Sequence, residues 1–310
     1  MSPAIELGCV AIIALYLGVR LRNDPDPRGF LGRMALLMAA SWIGEDTCIH
    51  LYGFYHYAPG WHLVVDQVPL LIVTIWPIVI HSAWDLARRL ARANAKSLPG
   101  EAEPAPAAAA LARRAAVVGA LVVLADASLI EPIAVRSGLW WWTEPGLFAV
   151  PPIGILGWAY FAGLAMALLS WPRLRSPAQK AAAVLVLAPL GTHLLLLATW
   201  WGALRWVNGD VAPWPVVAVA WALALALAAV AVRRRAGRTI PPWELLVRVP
   251  AAAFFFVLLA AHGAGDGALV AYALAFAPPY LALTWAATRT RGPLRAPSEW
   301  TGGCARPPRS

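Results

Sequence analysis

Two groups of carboxyl side chains in this sequence stand beside aromatic residues within apolar stretches. Glu45 and Asp46 form the first group, and Asp126 and Glu131 form the second. A carboxyl group inside a membrane is costly unless it faces other protein groups, is paired or carries a proton. A protonated carboxyl in an apolar pocket can donate its proton to an alkene, and aromatic faces attract the positive charge that results. These residues therefore indicate acid–base chemistry on an apolar, membrane-dissolved substrate.

We expect Glu45 and Asp126 to be the proton donor and the cation stabiliser or water-activating base, in either order. Glu131 and Asp46 complete the candidate catalytic set. Either Glu131 or His50 orients the acids, and Asp46 has a simpler role in pairing with a neighbour. Aromatic residues and one histidine near these acids are the candidate substrate-binding residues: Tyr55, Tyr57, Trp76, Trp140, Trp142, Trp158 and His50.

Structural roles remain open for the same side chains. Glu45 and Asp126 are also suited to interhelical hydrogen bonds that hold a bundle together. Trp140, Trp141 and Trp142 are also suited to the aromatic belt found where a membrane meets water.

The acids belong to two segments that resemble each other. In each, an acid near the end of a predicted helix precedes an aromatic cluster, a Val-Pro pair and a Trp seven residues after the proline. From acid to proline the distance is 24 residues for Glu45 to Pro69 and 25 for Asp126 to Pro151. Duplicated units are common in membrane proteins, so we predict an internal repeat with units at about 30–84 and 113–171.

The composition determines which elements position these residues. The chain has 310 residues, of which 60% are hydrophobic and 13% are charged. Soluble domains are nearer ~45–50% apolar and ~25% charged, so water-soluble domains are excluded. The three cysteines include no C-x-x-C pair, which excludes a disulfide framework and a thiolate zinc site.

Apolar stretches of membrane-spanning length predict an all-α polytopic bundle with about nine transmembrane helices. Lys and Arg concentrate in alternate connecting segments, and only Arg136 and Arg205 depart from this alternation. The positive-inside rule then predicts an outer N-terminus and a cytoplasmic C-terminus in a bacterial inner membrane. The net charge of +9 is thus explained by topology, so we expect the lipid bilayer as a partner and no nucleic acid.

We predict one helical membrane domain over 1–289, with a cytoplasmic linker at 85–112 between the two repeat units. Pro-rich residues 290–310 are predicted to form a disordered cytoplasmic tail.

The sequence lacks the motifs of several cofactor-dependent membrane enzymes. Its six histidines form no H-x-x-H-H box and no pair at matching depth for a haem. It also has no glycine-rich nucleotide loop and no pair of Asp-rich motifs for a magnesium-bound diphosphate. We therefore expect no metal and no cofactor.

The order of these motifs resembles the carotenoid biosynthesis membrane protein family over roughly residues 30–170. The elements that carry the resemblance are, in the stretch from Glu45 to Trp76, Gly53-x-Tyr55-x-Tyr57 and Val68-Pro69, and then Asp126, Glu131-Pro132, Gly138-x-Trp140-x-Trp142, Val150-Pro151 and Gly157-Trp158. That family includes carotenoid 1,2-hydratases acting on γ-carotene and bisanhydrobacterioruberin. The resemblance implies a cofactor-independent hydratase that adds water to the terminal double bond of an acyclic carotenoid end.

The sequence departs from the family pattern at three places. Residues 48–52 stand where the family has Thr-Gly-x-Pro, Gly154 stands in place of an Asn, and Glu131 stands in place of an Asp before proline. These departures bear on which carotenoid is the substrate and on which group positions the water.

Three other functions are compatible with the sequence. An integral-membrane carotenoid or terpenoid cyclase would use the same alkene protonation. A non-catalytic isoprenoid carrier, or a scaffold for other carotenoid pathway enzymes, would bind pigment without turnover. A transporter would use the repeats and the proline-interrupted helices as hinges.

Overall fold

The computed structural model describes residues 3–93 and 105–288 of the chain, and most of the described residues are helical. The helices, in chain order, are α1 (Pro3–Asn23), α2 (Pro27–Tyr52), α3 (Leu70–Ala93), α4 (Ala105–Arg136), α5 (Pro152–Leu169), α6 (Pro177–Thr199), α7 (Arg205–Val207), α8 (Pro213–Arg234), α9 (Pro242–Leu246), α10 (Val249–Leu258), α11 (Gly267–Leu274) and α12 (Ala277–Thr288). The predicted fold class, an all-α polytopic membrane bundle, is confirmed.

Within the described residues, eight helical stretches are long and apolar enough to cross a membrane. Several of them join short helices: α6 and α7 form one stretch through a π-helical turn at Trp200–Leu204, and α9 and α10 form another that extends to Gly263. The ninth predicted span is α2, which has 26 residues and is therefore long enough. It carries Arg33, Glu45 and Asp46, and it is not among the eight.

Helix ends follow the local sequence. Asp26 caps α2 by accepting a hydrogen bond from the Gly29 amide, and Pro27 occupies the first turn, where its missing N–H costs nothing. The same helix ends at Gly53, whose φ of 59° lies in the left-handed region that glycine adopts without strain. This turn directs the chain from α2 into the strand that carries Tyr55 and Tyr57.

Four short strands lie in the two segments that follow α2 and α4. Strand β1 (Tyr55–Tyr57) pairs antiparallel with β4 (Trp140–Trp142), and β2 (Val64–Val65) forms a hairpin with β3 (Val68–Pro69). The first pair joins two loops that are far apart in sequence. The charge pattern predicts that this end of the bundle is the outer end.

Helices α2 to α6 enclose the core around the site. Helix α4 packs against α3 and α5, α6 packs against α5 and α2, and α8 packs against α12. Small residues allow close approach in this bundle, since a Cβ added at Gly163 of α5 would lie 3.1 Å from the Ala120 Cβ of α4. The largest buried cluster contains Trp76, Trp140, Trp158 and Phe161.

The predicted linker at 85–112 is largely helical where it is described. Helix α3 continues to Ala93 and α4 begins at Ala105, so both helices extend into the predicted linker. Residues 94–104 and the predicted tail at 290–310 lie outside the described residues.

Candidate active site

Glu45 of α2 accepts hydrogen bonds from three aromatic side chains. The hydroxyl groups of Tyr55 and Tyr57 both donate to Oε2, Tyr57 over 2.8 Å. The indole N–H of Trp76 on α3 donates to Oε1 over 2.9 Å. Both oxygens of this carboxyl group are therefore satisfied by aromatic donors.

Glu131 of α4 has a matching set of three donors. The indoles of Trp140 and Trp142 donate to Oε2 over 2.8 and 3.0 Å, and that of Trp158 on α5 donates to Oε1 over 2.6 Å. Glu131 is only 2% exposed, so these indoles supply the polar contacts that a buried carboxyl group requires.

The β1–β4 pair explains why four of these donors reach the two acids. Its register places Tyr55 opposite Trp142 and Tyr57 opposite Trp140. Side chains alternate between the faces of a strand, so these four lie on one face. The intervening Trp141 lies on the other face and is 46% exposed.

One cavity lies between the two acids. It has a volume of about 70 Å³, and its lining includes Glu45, Glu131 and all six of their aromatic donors. Gly154 of α5 and His193 of α6 also line it. A cavity needs roughly 10–15 Å³ per water molecule, so this space, which is mostly apolar but contains both carboxyl groups, is large enough for a few waters.

The two acids differ in the chemistry of their donors. A tyrosine hydroxyl both donates and accepts hydrogen bonds, whereas an indole N–H only donates. Burial raises the pKa of Tyr55 and Tyr57, which lie in the loop after α2, well above the ordinary range, so these phenols keep their protons. A protonated Glu45 can therefore donate to a phenol oxygen, whereas the three indoles around Glu131 can only donate to its carboxyl group.

The structure does not bring together Asp126 and Glu45, the two acids that the sequence offered as proton donor and cation stabiliser or base. Asp126 pairs with Arg248 over 2.5 Å and accepts a hydrogen bond from Tyr280 over 2.8 Å. It lines a different cavity of about 260 Å³. Five residues of α-helix turn through about 500°, so Asp126 and Glu131 point about 140° apart around α4.

Loop lengths explain why the spacing from acid to proline pairs Glu45 with Asp126, whereas the pattern of hydrogen-bond donors pairs Glu45 with Glu131. The donors to Glu45 follow it by 10, 12 and 31 residues, and those to Glu131 follow it by 9, 11 and 27 residues. The segment after Glu45 is longer and contains the β2–β3 hairpin. The distance from acid to proline therefore pairs Glu45 with Asp126, which precedes Glu131 by five residues along α4.

Asp46 and His50 lie outside the cavity lining, beside Asp66. The imidazole of His50 contacts Asp66 over 2.8 Å and Asp46 over 3.7 Å. Asp46 also accepts a hydrogen bond from the Gln67 amide over 3.3 Å. The bond from His50 lowers the pKa of Asp66, which lies in the exposed loop. Sequence reasoning had placed Asp46 and His50 with the catalytic and substrate-binding residues.

These three side chains also form a possible cation site. Their potential ligand atoms lie within 4.8 Å of one another. Among the described residues, this is the group of His, Cys, Asp or Glu side chains close enough together to bind one metal ion. The hydrogen bond between His50 and Asp66 accounts for their closeness without an ion.

The structure adds two residues to the site that the sequence did not single out for it. His193 and Gly154 line the cavity, and a Cβ added at Gly154 would lie 2.5 Å from the Trp142 ring. Gly154 therefore makes room for the indole that binds Glu131. The resemblance had marked Gly154 only as a departure.

Fold and site together define a polytopic helical membrane protein with a pair of carboxyl groups enclosed by aromatic side chains. The sequence model of the carotenoid biosynthesis protein family matches residues 5–227, and the chain belongs to this family. The predicted family resemblance is confirmed, and the match supports a role in carotenoid metabolism. No curated protein and no solved structure matches the chain.

Proposed function

We propose that this protein is a cofactor-independent carotenoid hydratase of the bacterial inner membrane. It adds water to the terminal double bond of an acyclic carotenoid end. The observation that carries the proposal is the pair of acids, Glu45 and Glu131, in one cavity walled by indole and phenol rings. Membership of the carotenoid biosynthesis family supplies the substrate class.

The donor chemistry divides the roles between the acids. Glu45, with phenols that can exchange protons with it, is the proton donor to the alkene carbon nearer the chain. Proton transfer leaves a tertiary cation on the other carbon. The Glu131 carboxylate and the aromatic faces stabilise this cation, and a desolvated cation–π contact contributes about 2 kcal/mol or more. Water then forms the C–O bond and loses a proton, which gives a tertiary alcohol and restores the proton balance.

The size of the cavity favours water as the group that captures the cation. A space of about 70 Å³ beside both acids is large enough for a few water molecules. It is much smaller than the roughly 300–1,000 Å³ of a typical ligand pocket, so aromatic side chains must move apart when a carotenoid end enters. Hydration uses the water that this space can hold, whereas cyclisation requires its exclusion.

Expression in a bacterium that accumulates lycopene, followed by mass spectrometry of the pigments, tests this function. We expect a product heavier by one water per reacted end. Glu45→Gln and Glu131→Gln should each lower its formation by about 100-fold or more, since positioned acids and bases contribute about 10²–10⁴-fold.

Glu144→Gln is the matched control, because Glu144 is an acid of the same loop region that does not line the cavity. Its product level should equal that of the unmodified protein. Unchanged product in both cavity variants, with equal protein in the membrane, overturns the mechanism. A product of unchanged mass with an altered absorption spectrum assigns cyclisation instead of hydration.

A further inference from the structure

The hydroxyl group of Thr47 fixes how His193 is protonated. Thr47 Oγ1 lies 2.5 Å from the Ile43 carbonyl oxygen and 2.7 Å from His193 Nε2. A hydroxyl has one hydrogen, and a carbonyl oxygen can only accept. The Thr47 hydrogen is therefore donated to the backbone of α2, and His193 donates its Nε2–H to the Thr47 oxygen.

This assignment leaves Nδ1 of the neutral imidazole as an acceptor. Nδ1 is buried and has no hydrogen-bond partner within the described residues. Buried acceptors are normally satisfied, so an unpaired acceptor on a ring that lines a cavity is suited to a donor held there. The imidazole lines the cavity that holds Glu45 and Glu131.

Two side chains of α2 hold the imidazole in place. Besides the Thr47 hydrogen bond, the ring of Tyr52 packs edge-on against that of His193, with centroids 5.4 Å apart. His193 itself comes from α6, which packs against α2. The ring thus has a fixed orientation at the cavity, as a group that positions a reactant requires.

We propose that His193 binds the water that attacks the carotenoid cation and accepts its proton. This inference rests on the proposed hydratase function. One O–H of the water donates to Nδ1 while the oxygen lone pair forms the new C–O bond at the tertiary carbon. The proton lost from that oxygen moves to Nδ1, which gives an imidazolium that donates from both nitrogens. The imidazolium then releases this proton to solvent, and Glu45 takes up a proton from solvent for the next turnover.

Two substitutions at His193 test the roles of its two ring nitrogens separately. His193→Gln keeps a donor near the Nε2 position for Thr47 but has no acceptor at the Nδ1 position. His193→Asn keeps an acceptor near Nδ1 but cannot reach Thr47 or take up the proton. Membranes containing lycopene and each variant are incubated in D₂O buffer. Mass spectrometry then measures added water and, in recovered lycopene, deuterium gained when the cation forms and reverts.

We expect His193→Gln to lower hydration by about 100-fold, while deuterium exchange into recovered lycopene continues, because Glu45 still protonates the alkene. His193→Asn should lose less, about 10-fold, because it can orient the water. A purely structural role predicts that exchange and hydration fall together, and that result overturns the inference. Hydration by His193→Gln at the unmodified rate overturns it as well.

Thr47→Val provides a second test that leaves His193 in place. It removes the acceptor for Nε2–H at nearly constant side-chain volume, and Thr47→Ser is its control. The ratio of exchange to hydration should rise in Thr47→Val and stay unchanged in Thr47→Ser. An equal ratio in both variants contradicts the assigned tautomer. If the unmodified protein shows neither hydration nor exchange, the proposed function itself fails, which no outcome of the His193 variants alone can indicate.

Discussion

The indole rings of Trp76 and Trp158 stack with their centroids 3.9 Å apart and their planes at 18°. Each ring donates its N–H to a different acid, Trp76 to Glu45 and Trp158 to Glu131. A shift of either ring therefore changes the surroundings of both carboxyl groups. The two acids are mechanically coupled through this stack.

Trp76→Phe should lower the hydration rate roughly 10- to 100-fold, because it removes a hydrogen bond to an acid and keeps most of the ring. Because of the stack, its effect should not add to that of Trp158→Phe. Rates for the two single variants and the double variant measure this coupling. Strictly additive effects would mean that the acids act independently.

Tyr55→Phe should slow protonation of the alkene, since it removes a phenol that contacts the Glu45 carboxyl group. We expect deuterium exchange and hydration to fall together by about 10-fold or more. Tyr52→Phe is the control, because Tyr52 has no hydrogen bond to Glu45 and packs on Phe54 and His193 through its ring. Exchange at the unmodified rate in Tyr55→Phe would remove the phenol from the proton path.

Gly154→Ala should displace the Trp142 indole from Glu131. The added methyl group would lie 2.5 Å from the ring, and the indole is also held by its contact with Tyr55, at 4.8 Å between centroids. Gly18→Ala, in α1 and outside the cavity lining, is the control because its added methyl group meets no atom within 4 Å. Product formation and tryptophan fluorescence should change in the first variant and not in the second. Equal behaviour of the two variants would show that the Trp142 indole can move aside without loss of activity.

Asp126→Asn should lower the stability of the folded protein and should not act on the catalysed reaction directly. The substitution leaves the guanidinium of Arg248 without its charge partner in a site where both side chains are at most 14% exposed. Breaking such a pair costs about 3–5 kcal/mol.

The apparent melting temperature in detergent should therefore fall in Asp126→Asn. The double variant Asp126→Leu with Arg248→Met should recover much of the loss, because it removes both charges. Asp210→Asn, in a loop, is the control. A stable Asp126→Asn protein that binds pigment but forms no product would return Asp126 to the catalytic set.

Much of the fold follows from the sequence, because a membrane allows few alternatives for long apolar stretches. Helix positions, the Glu45 group and its aromatic neighbours could all be predicted from hydropathy and acid placement. The partner of Glu45 could not, because it depends on which way side chains point around α4 and on a hairpin that lengthens one loop. Neither property is visible in acid-to-proline distances.

His193 was beyond sequence reasoning for a related reason. It lies in α6, far from both acids in sequence, with no motif around it. Its connection to the site exists only because α6 packs against α2 and sets its ring against Thr47. Helix packing in three dimensions determines this contact.

The short ladder between β1 and β4 restricts how this protein can evolve. In a strand pair, the insertion or deletion of one residue turns every following side chain to the opposite face. In this ladder, such a change in β1 would turn His56 instead of Tyr57 toward Glu45, and in β4 it would turn Trp141 instead of Trp140 toward Glu131. Neither loop can change length between its acid and its strand without a matching change elsewhere. Divergence in the family should therefore preserve the spacing from acid to strand in each half, while lengths beyond the strands remain free to vary.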